Sequence, residues 1–253
     1  MRIVDLSHAI KPSGADPGPY METGIAYTNH AQGALLAQRT YGVPLRLMRD
    51  GEWAALETIT NLSTHGATHV DAPWHYNSRI QGRRAATIDE LPLEWFYGPG
   101  AVVDFRHKED GDAVTTVELE RALRDSGHDL QPGDIVLVRT GRDAFYDDPT
   151  YASRGPGVTV EATRFLYDRG VRVMGIDAWG WDRPLHLEAR EAVERDATGV
   201  FWAAHQADLA YSQLERLANL GAVPPTGFTV ACFPLKIAGG SAAPARVVGI
   251  VAD

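Results

Sequence analysis

The sequence predicts an α/β fold in a single domain, and three observations carry that expectation. Short apolar runs recur at Ala101–Phe105 (AVVDF), Ile135–Val138 (IVLV) and Val171–Ile176 (VRVMGI). A helical pattern falls in each interval between them, and strands alternating with helices favour a layered arrangement with parallel pairing. No repeat or low-complexity linker divides the 253 residues, so 1–253 reads as one domain.

Taken in order, Arg2–Leu6 (RIVDL) predicts a strand. The polar stretch that follows to about Ala31 contains Asp16-Pro-Gly-Pro, which breaks regular structure. Trp53–Ser63 (WAALETITNLS), rich in Thr, Ile and Leu, predicts a strand. Thr87–Phe96 predicts a short helix interrupted at Pro92, and Gly98-Pro-Gly a turn before the strand at Ala101. Thr115-Thr-Val-Glu118 has the form of a capping box, and Val117, Leu119 and Leu123 give partial helical periodicity up to about Gly127. Pro132-Gly-Asp134 is a turn before IVLV. Thr159 caps a second helix through Tyr167, closed by Gly170. A third helical region covers roughly Leu187–Leu209, and Gly227–Ile237 and Arg246–Val251 return to strand. Gly239-Gly240-Ser241 lacks the Lys-Ser/Thr of a phosphate-binding loop and reads as a turn.

The composition is that of a soluble globular protein, 44% hydrophobic and 23% charged. A formal net charge of −9 argues against a nucleic-acid surface and against docking on anionic membrane. The one cysteine, Cys232, excludes an internal disulfide and a multi-cysteine zinc site, and in FTVACFPLKI it reads as a buried, inert thiol. The N-terminus lacks a long apolar signal core, and no apolar run approaches membrane-spanning length, so a cytoplasmic enzyme is expected.

The chemistry concentrates in Ser63–Tyr76 (STHGATHVDAPWHY), which places His65, His69, Asp71 and His75 within eleven residues. Imidazole and carboxylate suit zinc, manganese or iron, and imidazole also carries protons near neutral pH. On an ideal helix the four positions split into two pairs on different faces. On a strand all four share one face, but a straight strand would spread them over about 33 Å. The segment must therefore bend, with Gly66 and Pro73 as suitable places. A bent strand end or loop that presents ligands inward is the consistent picture. Read from the residues alone, His205 fits a satisfied core histidine in a helical pattern, and Glu215 a solvated helix charge.

This stretch resembles the signature His-x-Gly-Thr-His-x-Asp-x-Pro-x-His of the metal-dependent cyclase or kynurenine-formamidase-like hydrolases, matched by His65, Thr68, His69, Asp71, Pro73 and His75. Ala67 stands where the signature has glycine, with Gly66 just before it. The resemblance extends to DLSH at Asp5–His8, VLVRTG at Val136–Gly141, MGIDAWGWD at Met174–Asp182 and the closing run from Pro224 to Ile250.

The resemblance implies a β-rich core of the swivelling β/β/α type, assembled as a homodimer or homotetramer, with His65, His69 and Asp71 holding a catalytic divalent metal, zinc or manganese. In two-metal members the aspartate bridges, and His205 and Glu215 match the residues that complete the second position, so one or two ions are expected per chain. His75 matches the proton-transfer residue, with third ligand or ligand-orienting residue as the other roles open to it. Trp74, Trp179 and Trp181 are candidates for the wall of an aromatic substrate pocket, the Gly-separated pair Trp179 and Trp181 above all, beside Asp177 and Asp182.

Three readings follow. The first is a hydrolase of a carbon–nitrogen bond in a small aryl or cyclic amide, using a metal-activated water; members of the resembled family hydrolyse N-formylkynurenine or open the isatin ring. The second keeps the site but makes it a cyclase or dehydratase of an aromatic polyketide. The third is a non-catalytic metal-binding protein, disfavoured by a proton carrier adjoining the ligands.

Overall fold

The β-branched runs pair into a nine-stranded sheet in a computed structural model that describes residues 1–13 and 21–252. The predicted breaker at Asp16–Pro19 lies outside the described residues. Contacts divide the chain into two units, one of Met1–Ala9 with Ala67–Asp253 and one of Ile10–Gly66.

The smaller unit pairs Thr23–Thr28 antiparallel with Leu56–Leu62, the second of which is the strand predicted over Trp53–Ser63. Its helix, His30–Tyr41, was not expected from the apolar pattern. A full capping box starts it, with Asn29 accepting from the Gln32 N–H and Gln32 reaching back to the Asn29 N–H, and left-handed Gly42 ends it.

The larger unit holds the sheet. Its strands are β1 (Arg2–Asp5), β2 (His69–Asp71), β3 (Tyr97–Asp104), β4 (Ile135–Arg139), β5 (Val173–Ile176), β6 (Ser212–Glu215), β7 (Phe228–Ala231), β8 (Ala242–Pro244) and β9 (Val248–Val251). Their spatial order is β1-β9-β7-β3-β4-β5-β6-β2-β8. The centre from β3 to β6 is parallel, as the alternation of strand and helix predicts, and every other pairing is antiparallel. The helices are α1 (Pro73–Tyr76), α2 (Thr116–Asp125), α3 (Val160–Asp168) and α4 (Leu185–Arg195).

Alternation along the strands divides the core into two layers. Ala101, Val103, Val136, Val138, Met174 and Ile176 point to the side covered by α2 and α3, through Leu119, Leu123, Ala162 and Leu166. Val102, Ile135, Leu137, Val173, Leu214 and Val70 point to the other side, towards Leu6, Phe228 and Val230. Both α2 and α3 begin at the predicted threonines, whose side chains accept from the Glu118 and Ala162 N–H groups. Cys232 is buried, with its thiol pushed far up by desolvation, as expected of an inert core residue.

Three elements differ from the sequence reading. Gly98-Pro-Gly100 is strand, not turn: a Cβ on Gly98 would lie 2.3 Å from the Gly133 carbonyl and one on Gly100 2.4 Å from the Phe228 ring. These glycines serve close approach between neighbours rather than a reversal. The helix expected over 187–209 ends at Arg195, where Asp196 turns left-handed, so His205 stands in irregular chain. Glu215 is a buried strand residue rather than a solvated helix charge. Among the described residues no helix is long and apolar enough to cross a membrane.

Candidate metal centre

The register of two short strands creates the centre. β6 and β2 pair antiparallel with Glu215 opposite His69 and Leu214 opposite Val70. Val70 and Leu214 belong to one core layer, so His69, Asp71 and Glu215 project together from the opposite face. His69 and Asp71 are fully buried and Glu215 nearly so. His69 Nε2 lies 3.3 Å from Asp71 Oδ1 and 3.7 Å from Glu215 Oε2. Thr68 fixes the entry to β2, donating its hydroxyl to the Arg216 carbonyl and accepting the His8 N–H at 2.8 Å.

His205 arrives from the segment after α4, and its placement rests on Asp182. That carboxylate accepts from the Ala204 N–H at 2.7 Å, from the His205 N–H at 3.2 Å and from His205 Nδ1. With Nδ1 committed, Nε2 faces the carboxylates, 3.5 Å from Glu215 Oε1 and 3.9 Å from Asp71 Oδ2. Burial alone would lower the His205 pKa, but Asp182, Asp71 and Glu215 outweigh it and hold it well above the ordinary value. Burial would likewise raise the Glu215 carboxyl, whereas its hydrogen bond to His205 carries it below the usual range. The Trp181 N–H fixes Glu215 from behind, donating to Oε1 at 2.9 Å.

The donor set fits a divalent cation. His69 Nδ1 lies 2.7 Å from the Ala67 carbonyl, which can only accept, so Nδ1 carries a proton and Nε2 is the atom turned to the two carboxylates. Two imidazole nitrogens and two carboxylates thus converge in a buried space, a nitrogen-and-oxygen donor set of the kind that takes up a divalent cation. The residues orienting the two histidines, the Ala67 carbonyl and Asp182, are partners of the kind that support metal ligands.

His75 follows on the one-turn helix α1, which Pro73 starts immediately after β2. This is the bend that the spacing requires. The half-buried His75 ring lies 5.9 Å from the His205 ring, centroid to centroid, and 5.1 Å from Trp202 at 89°. Trp202 stacks on His205 at 4.3 Å and 19°. His65 falls in the smaller unit, half-buried, with its N–H donated to Ser63 Oγ at 3.2 Å.

The three candidate wall residues part company. Trp74 is 38% exposed. Trp179 is half-buried, with the Arg216 guanidinium 4.9 Å from its ring centroid. Trp181 is core: its ring is fully buried and its indole N–H donates to Thr163 at 2.9 Å, so it serves the site through its backbone. The sequence reading did not find the roles of Asp182, Trp202 and Glu188. Asp182 carried a signal in its place two residues from Gly180 in GIDAWGWD, and Trp202 as one of the aromatic residues that could face a flat substrate, whereas Glu188 carried none.

The chain is similar in sequence and in fold to several known proteins. The profile of the family described as "Cyclase: Putative cyclase" matches residues 4–183, a span that ends before His205 and Glu215. The kynurenine formamidase of Salinibacter ruber is 34% identical over 189 residues, 74% of this chain and 76% of that protein. The isatin hydrolase of Roseibium aggregatum is 27% identical over 209 residues, 75% of this chain and 73% of its own length. Among solved structures, isatin hydrolase A from Labrenzia aggregata bound to benzyl benzoate superposes with a TM-score of 0.75 at 25% identity, covering 100% of this chain and 94% of that one.

Proposed function

Because the chain belongs to the cyclase family, whose relatives here include metal-dependent amide hydrolases, we propose that it hydrolyses a non-peptide carbon–nitrogen bond in a small aryl amide or cyclic amide. The observation that carries this reading is the buried meeting of His69, Asp71, Glu215 and His205, with His75 beside it. In this proposal His65, His69 and Asp71 hold one divalent cation, zinc or manganese. Asp71, His205 and Glu215 hold a second where two are bound. His65 enters on the family spacing His-x3-His-x-Asp.

When bound, a divalent ion supplies Lewis-acid polarisation of the carbonyl and a water of lowered pKa. The chain supplies the rest. Asp182 and the Ala67 carbonyl hold Nδ1 of His205 and of His69, so that both Nε2 atoms are aimed at the centre. Tyr76 and Tyr211, buried and held neutral first by desolvation, pack ring against ring, with Tyr76 also against His205, and leave no room for bulk water on that side. His75 takes a proton on its imidazole and returns it to the departing nitrogen, a task for a group that titrates near neutrality. Trp74 and Trp179 are the proposed side walls for an aromatic substrate.

Residues 1–253 acting as one family domain, a homodimer or homotetramer, and a cytoplasmic setting complete the proposal; light scattering of the purified protein tests the assembly. The decisive experiment combines metal analysis with turnover of N-formylkynurenine, isatin and simple aryl formamides. Metal uptake with hydrolysis of one of them is the expected result. Metal uptake without hydrolysis would transfer the site to polyketide cyclisation or dehydration, and no uptake at all would end the proposal.

A further inference from the structure

We propose that Glu188 is a positioning residue that acts through Trp202 on His75, setting the ring of the candidate proton carrier. The inference rests on the hydrolase reading for His75's role, and its geometry stands apart from that reading. Trp202 is a bulky residue with φ at 57°, in the left-handed region that side chains other than glycine rarely adopt. Such a conformation persists only where its surroundings fix it. Here Glu188 Oε2 accepts the Trp202 N–H at 2.8 Å, and the Trp202 carbonyl accepts the Gln206 N–H at 3.0 Å, so Glu188 supplies the side-chain half of the support. Glu188 comes from α4, fourteen residues earlier, and is 4% exposed. Arg183 Nε stands 3.7 Å from Glu188 Oε1, and Arg183 is itself held by Glu191, so the carboxylate is set before it meets Trp202.

The consequence lies at the other end of Trp202. Its ring stacks on His205 and stands perpendicular to His75 at 5.1 Å, so it blocks rotation of His75 towards that side. A backbone flip at Trp202 to the ordinary φ < 0 region would swing the indole away from both rings. His75 would then keep its place on α1, with Tyr76 and His205 still beside it, but lose the indole face that limits its ring on the Trp202 side. Proton transfer depends steeply on that orientation. A purely structural Glu188 would instead affect folding and leave the His75 ring environment alone.

The test uses the full-length protein. Histidine ring signals in the NMR spectrum, with His75 assigned through H75A, report the Trp202 ring current at His75. E188A and W202A should move the His75 signals to a common new position, and E188Q, which keeps an acceptor oxygen, should retain the wild-type one. On a hydrolysed aryl formamide, E188A should lower kcat roughly tenfold or more, with KM and metal content little changed. In the W202G background, where glycine needs no support at positive φ, E188A should cost nothing further. The inference is overturned if E188A leaves the His75 signals in place while W202A moves them, or if E188A lowers kcat by the same factor in both backgrounds. Absence of metal and turnover in the wild type would sink the hydrolase reading instead, and the NMR comparison would still decide this one.

Discussion

His69 and Asp71, two residues apart on a three-residue strand, place Nε2 and Oδ1 3.3 Å from each other inside the protein. No solvent reaches either side chain, so their proximity makes sense chemically only with a proton or a cation between them. The Ala67 carbonyl already takes the imidazole proton on the far side of the ring. A cation is the simpler occupant, and it leads to the first prediction. The purified wild-type protein takes up divalent zinc or manganese and melts at a higher temperature in its presence, because a ligand that binds only the folded state stabilises it. H69A loses both the uptake and the shift, as read by elemental analysis and thermal denaturation.

Asp182 supplies the second prediction. It fixes which nitrogen of His205 faces the carboxylates, so D182N should weaken metal binding on the His205 side by roughly 10–100-fold, the usual effect of losing a histidine-orienting carboxylate. Calorimetric titration with zinc should show the loss. A D182N protein with wild-type affinity would remove His205 from the metal-binding set.

Trp181 tells a core role from a pocket role. W181F deletes the hydrogen bond to Thr163 and leaves the backbone N–H on Glu215 in place. Stability should fall by about 1–3 kcal/mol, since Thr163 Oγ1 stays buried without that donor, while metal content is retained. Denaturant unfolding and elemental analysis together make the measurement. A change in substrate KM with unaltered stability would instead make Trp181 a pocket residue.

The pH dependence of folding follows from Glu188. Burial first, then the Asp182 carboxylate, pushes its carboxyl from 4.5 up to about 7, against the pull of the Trp202 N–H and Arg183. Between those two values the folded state binds more protons than the unfolded chain, so this group's contribution to stability is present in full below about 4.5 and is lost as pH rises towards 7. Glutamine removes the titration while keeping an acceptor. The melting temperature of E188Q minus that of the wild type should therefore rise across this window, and a flat difference would place Glu188 at an ordinary pKa.

How much of this was written in the sequence depends on whether the deciding interaction is local. β4, β5, α2 and α3 were legible because apolar runs and threonine caps act within a few residues. The ligand spacing in Ser63–Tyr76 required a bend, and the strand followed by a proline-started turn provides one. β6 was not legible: SQLE has little strand character, and it becomes strand through pairing with β5 on one side and β2 on the other. The same pairing turned Glu215 from an apparent surface charge into a buried donor. Asp182 and Glu188 were hidden for a related reason, since each acts on a partner 14 to 23 residues away through an irregular segment with no periodicity.

The opposition of Glu215 to His69 across β6 and β2 would also make a bound cation a proofreader of assembly. A slip of one residue between these strands would turn His69 and Asp71 into the apolar layer of Val70 and Leu214 and scatter the donors. Only two residue pairs fix the contact between β2 and β6, so backbone hydrogen bonds alone discriminate weakly between registers. Bound metal whose ligands come from both strands would reward one alignment and none of its neighbours. Metal supplied during refolding should therefore raise the yield of correctly registered protein, beyond any effect of metal added after the chain has folded.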